Sequence, residues 1–340
     1  MRIGLALPHY DFSAPDGSPV SWEQLAESAR RAEALGFDSV WVSDHFFLTL
    51  ERYGGTPDEA YGSPEALTAL AALAAITERV RLGTLVLCAG FRHPALLAKS
   101  AVTIDLLSGG RLDLGLGAGW MEQEYRAFGY DFGDTGLRFE ILEETLVALG
   151  LLFGDGPATW AGRHFHLHEA FARPRPAQKP RPPLWVGGKG GPRLLRLLAR
   201  HADGWNTVWA WTPEGYAERA RALDRACERE GRDPSTVRRS VGLYTLVGED
   251  QRDLDARFRA LQAWTPGGAL DGQSLAEWRR DKLVGTREEV VDRIAAFADE
   301  GVGEIICSLA SLPFGLYDES ALDVFAESVM PAAQKLEPPR

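Results

Sequence analysis

Hydrophobic positions along the chain alternate between two rhythms. Short apolar runs recur between longer stretches whose apolar positions repeat at the spacing of a helix face. The runs at 2–7 (RIGLAL), 38–43 (DSVWVS), 80–87 (VRLGTLVL), 112–116, 184–186, 204–207, 239–247 and 304–309 (EIICSL) predict strands. The segments 22–35, 64–76, 94–107, 137–153, 192–201, 213–230, 286–299 and 321–335 predict helices. The punctuation agrees: Gly36 closes the first helix, Gly109-Gly110 stops the third, and Pro192 opens another. Strict strand–helix alternation implies a parallel sheet with helical crossovers, and eight repeats are the count of a closed (β/α)8 TIM barrel, an α/β fold. A doubly wound open sheet would need fewer strands, or a glycine fingerprint after the first; here that strand runs into Pro8-His9-Tyr10. Residues 1–340 thus read as one barrel domain.

Three stretches break the rhythm. Residues 48–63 are polar and glycine-rich, 159–183 look like a small hairpin followed by a proline-rich connector, and 249–282 show little clear period. Long loops in a compact domain are usually lids or binding loops, and in a barrel the loops that follow strands gather at the C-terminal face with the active site.

Composition narrows the function. A hydrophobic share of 45% supplies a large core, and a net charge of −11 argues against a nucleic acid or an anionic membrane as partner. The three cysteines, Cys88, Cys227 and Cys307, are odd in number and far apart, which suits neither a disulfide framework nor a short-spaced metal site. The opening MRIGLALPHYDF lacks the basic region and long apolar core of a signal peptide. The expectation is a soluble cytoplasmic protein.

Candidate chemistry stands at the strand ends. VGGKGGP (186–192) delivers glycines from a strand into a helix that begins at Pro192; exposed amides and a helix N-terminus make an anion site, to which Lys189 and Arg193 add charge. The alternative is a glycine-rich turn that only connects. The segment is no Walker loop, because the lysine is not followed by Ser or Thr. Asp44-His45 suits an acid/base pair, against the plainer reading of a loop-positioning aspartate and a packed histidine. GLGAGW (115–120) resembles a dinucleotide fingerprint but follows the fourth strand and lacks the acidic partner; its small residues would let a flat ring lie on the backbone. His164, His166 and His168 would share one strand face, where a solvated hairpin outranks a metal site. The absence of a nucleophile elbow or HExxH run points to chemistry carried by a cofactor.

Taken in order, GFDSVWVSDHF (36–46), FRHPALLAK (91–99), SGGRLDLGLGAGWMEQEYRAFGYDF (108–132), PLWVGGKGGPRLLRLLARHADGWN (183–206) and GTREEVVDRIAAFADEGVGEIIC (285–307) resemble the bacterial luciferase-like monooxygenase superfamily, closest to its coenzyme F420-dependent branch. The resemblance implies a barrel that binds reduced F420, or alternatively flavin mononucleotide (FMN), at the strand C-termini. It implies the phosphate at Gly187, Gly188 and Lys189, a non-proline cis peptide at Leu85–Val86 under the ring, and Asp44 at its edge. Leu85, Val86, Cys88 and Gly119 would line the ring site. His45 or His9 would exchange a proton, and Arg92, Lys189 and Arg193 are candidates for the F420 tail. In the sugar-phosphate dehydrogenase of this branch a catalytic glutamate stands where this chain has Trp120. That departure counts against a sugar phosphate; with Trp205, Trp120 would give a more aromatic pocket for an apolar or conjugated small molecule. The resemblance also implies a homodimer. An FMN-dependent monooxygenase fed by a separate reductase is the second reading, and a non-catalytic flavin-binding barrel the third.

Overall fold

The computed structural model describes residues 1–56 and 59–338. Eight parallel strands form its centre: β1 (Arg2–Ala6), β2 (Ser39–Val42), β3 (Arg81–Thr84), β4 (Leu112–Gly117), β5 (Leu184–Gly187), β6 (Gly204–Trp209), β7 (Arg238–Gly248) and β8 (Glu304–Ser308). Each pairs with the next, and β8 returns to β1 with Arg2 opposite Glu304 and Leu5 opposite Cys307, so the sheet closes into the expected (β/α)8 barrel. The helices between them are α1 (Trp22–Leu35), α2 (Ala66–Ile76), α3 (Pro94–Leu107), α4 (Thr135–Leu152), α5 (Pro192–His201), α6 (Pro213–Arg229), α7 (Arg287–Asp299) and α8 (Glu319–Ser328).

Local chemistry sets the helix ends. Ser21 and Gln24 close a capping box at the start of α1, and Gly36 ends it at φ 89°, a conformation a side chain would resist. Pro94, Pro192 and Pro213 each open a helix, where no amide proton is needed. The helix expected over 321–335 instead breaks after Ser328 and resumes at Met330–Ala333, since Pro331 has no N–H to continue the ladder.

Inside the barrel, two buried tryptophans fill the lumen. Trp41 of β2 and Trp185 of β5 meet edge to face at 6.0 Å. A Cβ at Gly83 would lie 2.1 Å from Trp41, and one at Gly204 2.3 Å from Trp185, so glycines on neighbouring strands make room for the rings. Beneath them Trp185 Nε1 donates to Asp113 (3.1 Å), Arg81 pairs with Asp113 (2.6 Å) and Arg2 with Glu304 (2.7 Å), a floor of buried acids satisfied by arginines.

The interruptions are insertions. Phe47–Thr49 pairs antiparallel with Ala60–Gly62 around a 3-10 turn at Glu51–Tyr53; residues 57 and 58 of the expected 48–63 insertion lie outside the described residues. Ala158–Ala161 and His166–Ala170 form the expected hairpin. His164 precedes its second strand and bonds Glu140 at 3.2 Å, so the three histidines do not share one strand face. The 249–282 stretch is not aperiodic: it holds a helix at Gln251–Trp264 that buries Leu254, Phe258 and Leu261, then a turn of helix at Leu275–Trp278, and it leads into a strand at Leu283–Thr286 that extends the sheet beside β7. Among the described residues no helix is long and apolar enough to cross a membrane.

Candidate active site at the C-terminal mouth of the barrel

The C-terminal ends of the strands surround a cavity of about 740 Å³. One side is glycine and backbone. β3 ends at Thr84, and the peptide bond one residue on, Leu85–Val86, is cis, as expected; a second non-proline cis bond, Val208–Trp209, also borders the cavity. A Cβ on Gly187 or Gly117 would come within 2.8 Å of the Val86 methyls, and one on Gly119, at φ 79°, would come 2.2 Å from the Tyr125 hydroxyl. Glycine at 117 and 187 lets these strand ends close around Val86, and glycine at 119 leaves room for Tyr125, which together make a shelf largely of backbone. Beside the shelf α5 begins at Pro192 with Gly191 as its cap and no side chain bonding the first amides, while Lys189 and Arg193 border the same space. Lys189 lies over Trp211 (4.7 Å) and donates to the Ala210 carbonyl (3.3 Å); burial of its ammonium lowers its pKa to about 8.

Across the cavity, the loop after β2 carries Ser43, Asp44 and His45. Both Asp44 oxygens are engaged: Arg92 binds them at 2.6 and 2.7 Å, and the Cys88 amide donates at 2.9 Å. Arg92 also pairs with Glu65, so this arginine is tied to two acids and does not border the cavity. His45 Nδ1 donates to Glu124 at 2.7 Å, and the amides of Phe46 and Phe47 donate to the other oxygen of Glu124. With Nδ1 so fixed, Nε2 remains for a ligand. Cys88 sits 2.9 Å from the Tyr125 hydroxyl, and burial pushes its thiol up to about 12, a packing residue rather than a nucleophile.

Trp120 is 41% exposed, meets the His45 ring at 5.6 Å and carries the Arg52 guanidinium over its own ring at 4.2 Å. Tyr10, Trp209, Tyr244 and Phe314 complete the aromatic wall.

Two expected residues are absent from this lining. His9 is buried behind it: Nδ1 donates to the Leu7 carbonyl (2.7 Å), Nε2 accepts from Ser43 (2.8 Å), and burial drives its pKa down to about 4. It therefore pins Ser43, whose hydroxyl bonds Tyr10 at 2.6 Å, instead of meeting a ligand. Trp205 is fully buried on the helix side of β6, stacked on Tyr216 at 5.3 Å, with Nε1 bonded to the Gly188 carbonyl at 2.9 Å. Strand alternation explains it: Asn206 and Val208 face the cavity, so Trp205 must face out. It braces the glycine turn from behind. Conversely, Arg52, Glu124, Trp209, Tyr244 and Phe314 border the cavity without having been singled out by sequence reasoning.

Residues 1–304 match the family described as luciferase-like monooxygenase. The chain belongs to that family. Within it, the chain is 29% identical to an F420-dependent glucose-6-phosphate dehydrogenase of Microbacterium testaceum, over 92% of this chain and 94% of that one. Its fold superimposes on an F420-dependent secondary alcohol dehydrogenase in complex with an F420-acetone adduct (TM-score 0.77, 24% identity, 98% of each chain covered). A monooxygenase of Streptomyces bottropensis is also similar (TM-score 0.74, 26% identity, 97% of this chain and 99% of that one). The resemblance drawn from the strand-end motifs is thereby borne out, as is the barrel.

Proposed function

We propose that this chain is an F420-dependent oxidoreductase that moves a hydride between the deazaflavin and a small organic substrate. The carrying observation is the glycine shelf of Gly117 and Gly187 around Val86, with Gly119 beside it, running into the uncapped amides of α5. A flat ring with a phosphate-bearing arm fits that pair of features: the ring against Leu85 and Val86, the phosphate at Gly187, Gly188 and the α5 amides. Lys189 and Arg193 border the cavity where further anionic groups of the F420 arm would emerge. When bound, reduced F420 supplies a hydride from C5 of its ring. His45, held by Glu124, then gives a proton to the substrate oxygen, or takes one in the reverse direction. Asp44, fixed by Arg92, supports the loop beside the ring, and the aromatic wall keeps water from the reacting atoms.

The ion pairing of Arg92 favours a second reading. With that arginine engaged by Asp44 and Glu65, fewer cations are left for an F420 tail, which suits reduced FMN, delivered by a separate reductase and used with oxygen. Both readings take the chain as one barrel domain, cytoplasmic and homodimeric like the family the motifs resemble. A fluorescence titration of the protein with F420 and with FMN decides between them. At least tenfold tighter binding of F420 is expected, with a large loss for Gly187→Val. Tight binding of FMN alone would replace the first reading by the second.

A further inference from the structure

The cavity beyond the glycine shelf is electrostatically lopsided. Its two carboxylates are both engaged, Asp44 by Arg92 and the Cys88 amide, Glu124 by His45 and two backbone amides. Its donors are not. Arg52 makes no ion pair among the described residues; its guanidinium lies over the Trp120 ring at 4.2 Å. Tyr244, on β7, is only 6% exposed, and its hydroxyl has no hydrogen-bond partner among the described residues. A buried hydroxyl without a partner in a ligand cavity asks for one from the ligand. Arg52 and Tyr244 border one cavity. Around them Trp209 stacks on Tyr244 at 5.3 Å and meets Phe314 edge-on at 5.3 Å, so the volume between cation and hydroxyl is walled by flat rings.

On the basis of the oxidoreductase reading above, we propose that the substrate is a carboxylate on a flat conjugated body, its rings against Trp120 and Trp209 and its carboxylate held by Arg52 and the Tyr244 hydroxyl. A carboxylate is an acceptor only, with lone pairs enough for a guanidinium fork and a phenol together. A neutral ketone or alcohol oxygen could serve one of these donors but would leave the guanidinium charge unanswered.

The test uses 2-naphthoate and its uncharged amide, 2-naphthamide, titrated into the full chain with quenching of intrinsic tryptophan fluorescence as readout, alone and with F420 saturating. The naphthoate is expected to bind at least tenfold tighter than the amide, with a preference that shrinks as salt rises and survives saturation by F420. Arg52→Gln should reduce naphthoate to the level of the amide. Tyr244→Phe should weaken naphthoate several-fold and leave the amide unchanged. Equal affinity for the two probes in the unaltered chain would overturn the inference. So would a preference kept by Arg52→Gln but lost with Lys189→Ala or on adding F420, which would move the carboxylate to the phosphate site. Binding of F420 is read in the same samples. Failure of the cofactor reading therefore appears as absent F420 binding, and failure of this inference as an absent naphthoate preference.

Discussion

The two ends of the barrel carry the same kinds of group and use them in opposite ways. At the N-terminal floor, Arg2 and Arg81 meet the buried acids Glu304 and Asp113 at 2.7 and 2.6 Å, and the lumen tryptophans donate into the same network. Burial raises the pKa of Glu304 and the nearby Asp113 charge adds to it; the Arg2 charge opposes that rise. At the C-terminal mouth, Arg52 rests on an aromatic face and the Tyr244 hydroxyl has no partner among the described residues. Saturated polar groups hold a fold together, whereas unsatisfied ones in a cavity are left for a ligand. The floor should therefore answer to stability measurements and the mouth to binding measurements.

The strongest way to break this contrast is Glu304→Ala. Removing one partner of a buried pair should cost about 3–5 kcal/mol of stability in urea denaturation, while each folded molecule binds cofactor as before. Arg52→Ala, at the mouth, should change stability by no more than about 0.5 kcal/mol. A destabilisation as large at Arg52 as at Glu304 would erase the distinction.

The next effect is a pH dependence from His9. Its pKa falls from the ordinary 6.5 to about 4 in the folded chain. Below pH 6.5 the unfolded chain takes up a proton that the folded one refuses until near pH 4. Stability should thus be lost as pH falls through that window, by up to about 3 kcal/mol. The urea midpoint of His9→Asn, followed against pH, should lack this component; parallel curves for the two proteins would rule it out. Smallest is Glu124→Gln. The amide can still accept from Phe46 and Phe47 but no longer anchors His45 through a charged bond. A fall in kcat of about tenfold, or about 1.4 kcal/mol, is expected with unchanged cofactor affinity. A change confined to cofactor affinity would make Glu124 part of the binding shelf.

Much of the barrel was legible because its signals are local. Gly36, Pro94 and Pro192 punctuate helices whose ends agree with the periodicity, and the strand runs lie where the sheet closes. The helix at Gln251–Trp264 escaped notice because only Leu254, Phe258 and Leu261 mark its buried face among many charges. Within the site, the glycine turns and Asp44-His45 could be found because βα turns have a recognisable chemistry. Trp205 departs from the pocket because strand alternation turns it to the face opposite Asn206, and His9 because a residue at a strand end can point into the wall as readily as into the cavity. Nothing local distinguishes Arg52 or Tyr244. Their significance arises only when an insertion and a distant strand meet across the mouth.

That meeting separates what holds the ring from what would choose the substrate. The glycine shelf belongs to barrel strands and their turns, where a single added methyl collides with a neighbour. Arg52 and Tyr53 belong instead to the small hairpin inserted after β2, joined to the barrel at its two ends. The hairpin is in effect an exchangeable nameplate on a fixed machine. Descendants of this chain could be readdressed to new substrates by rewriting it, while the barrel beneath keeps its sequence and its cofactor.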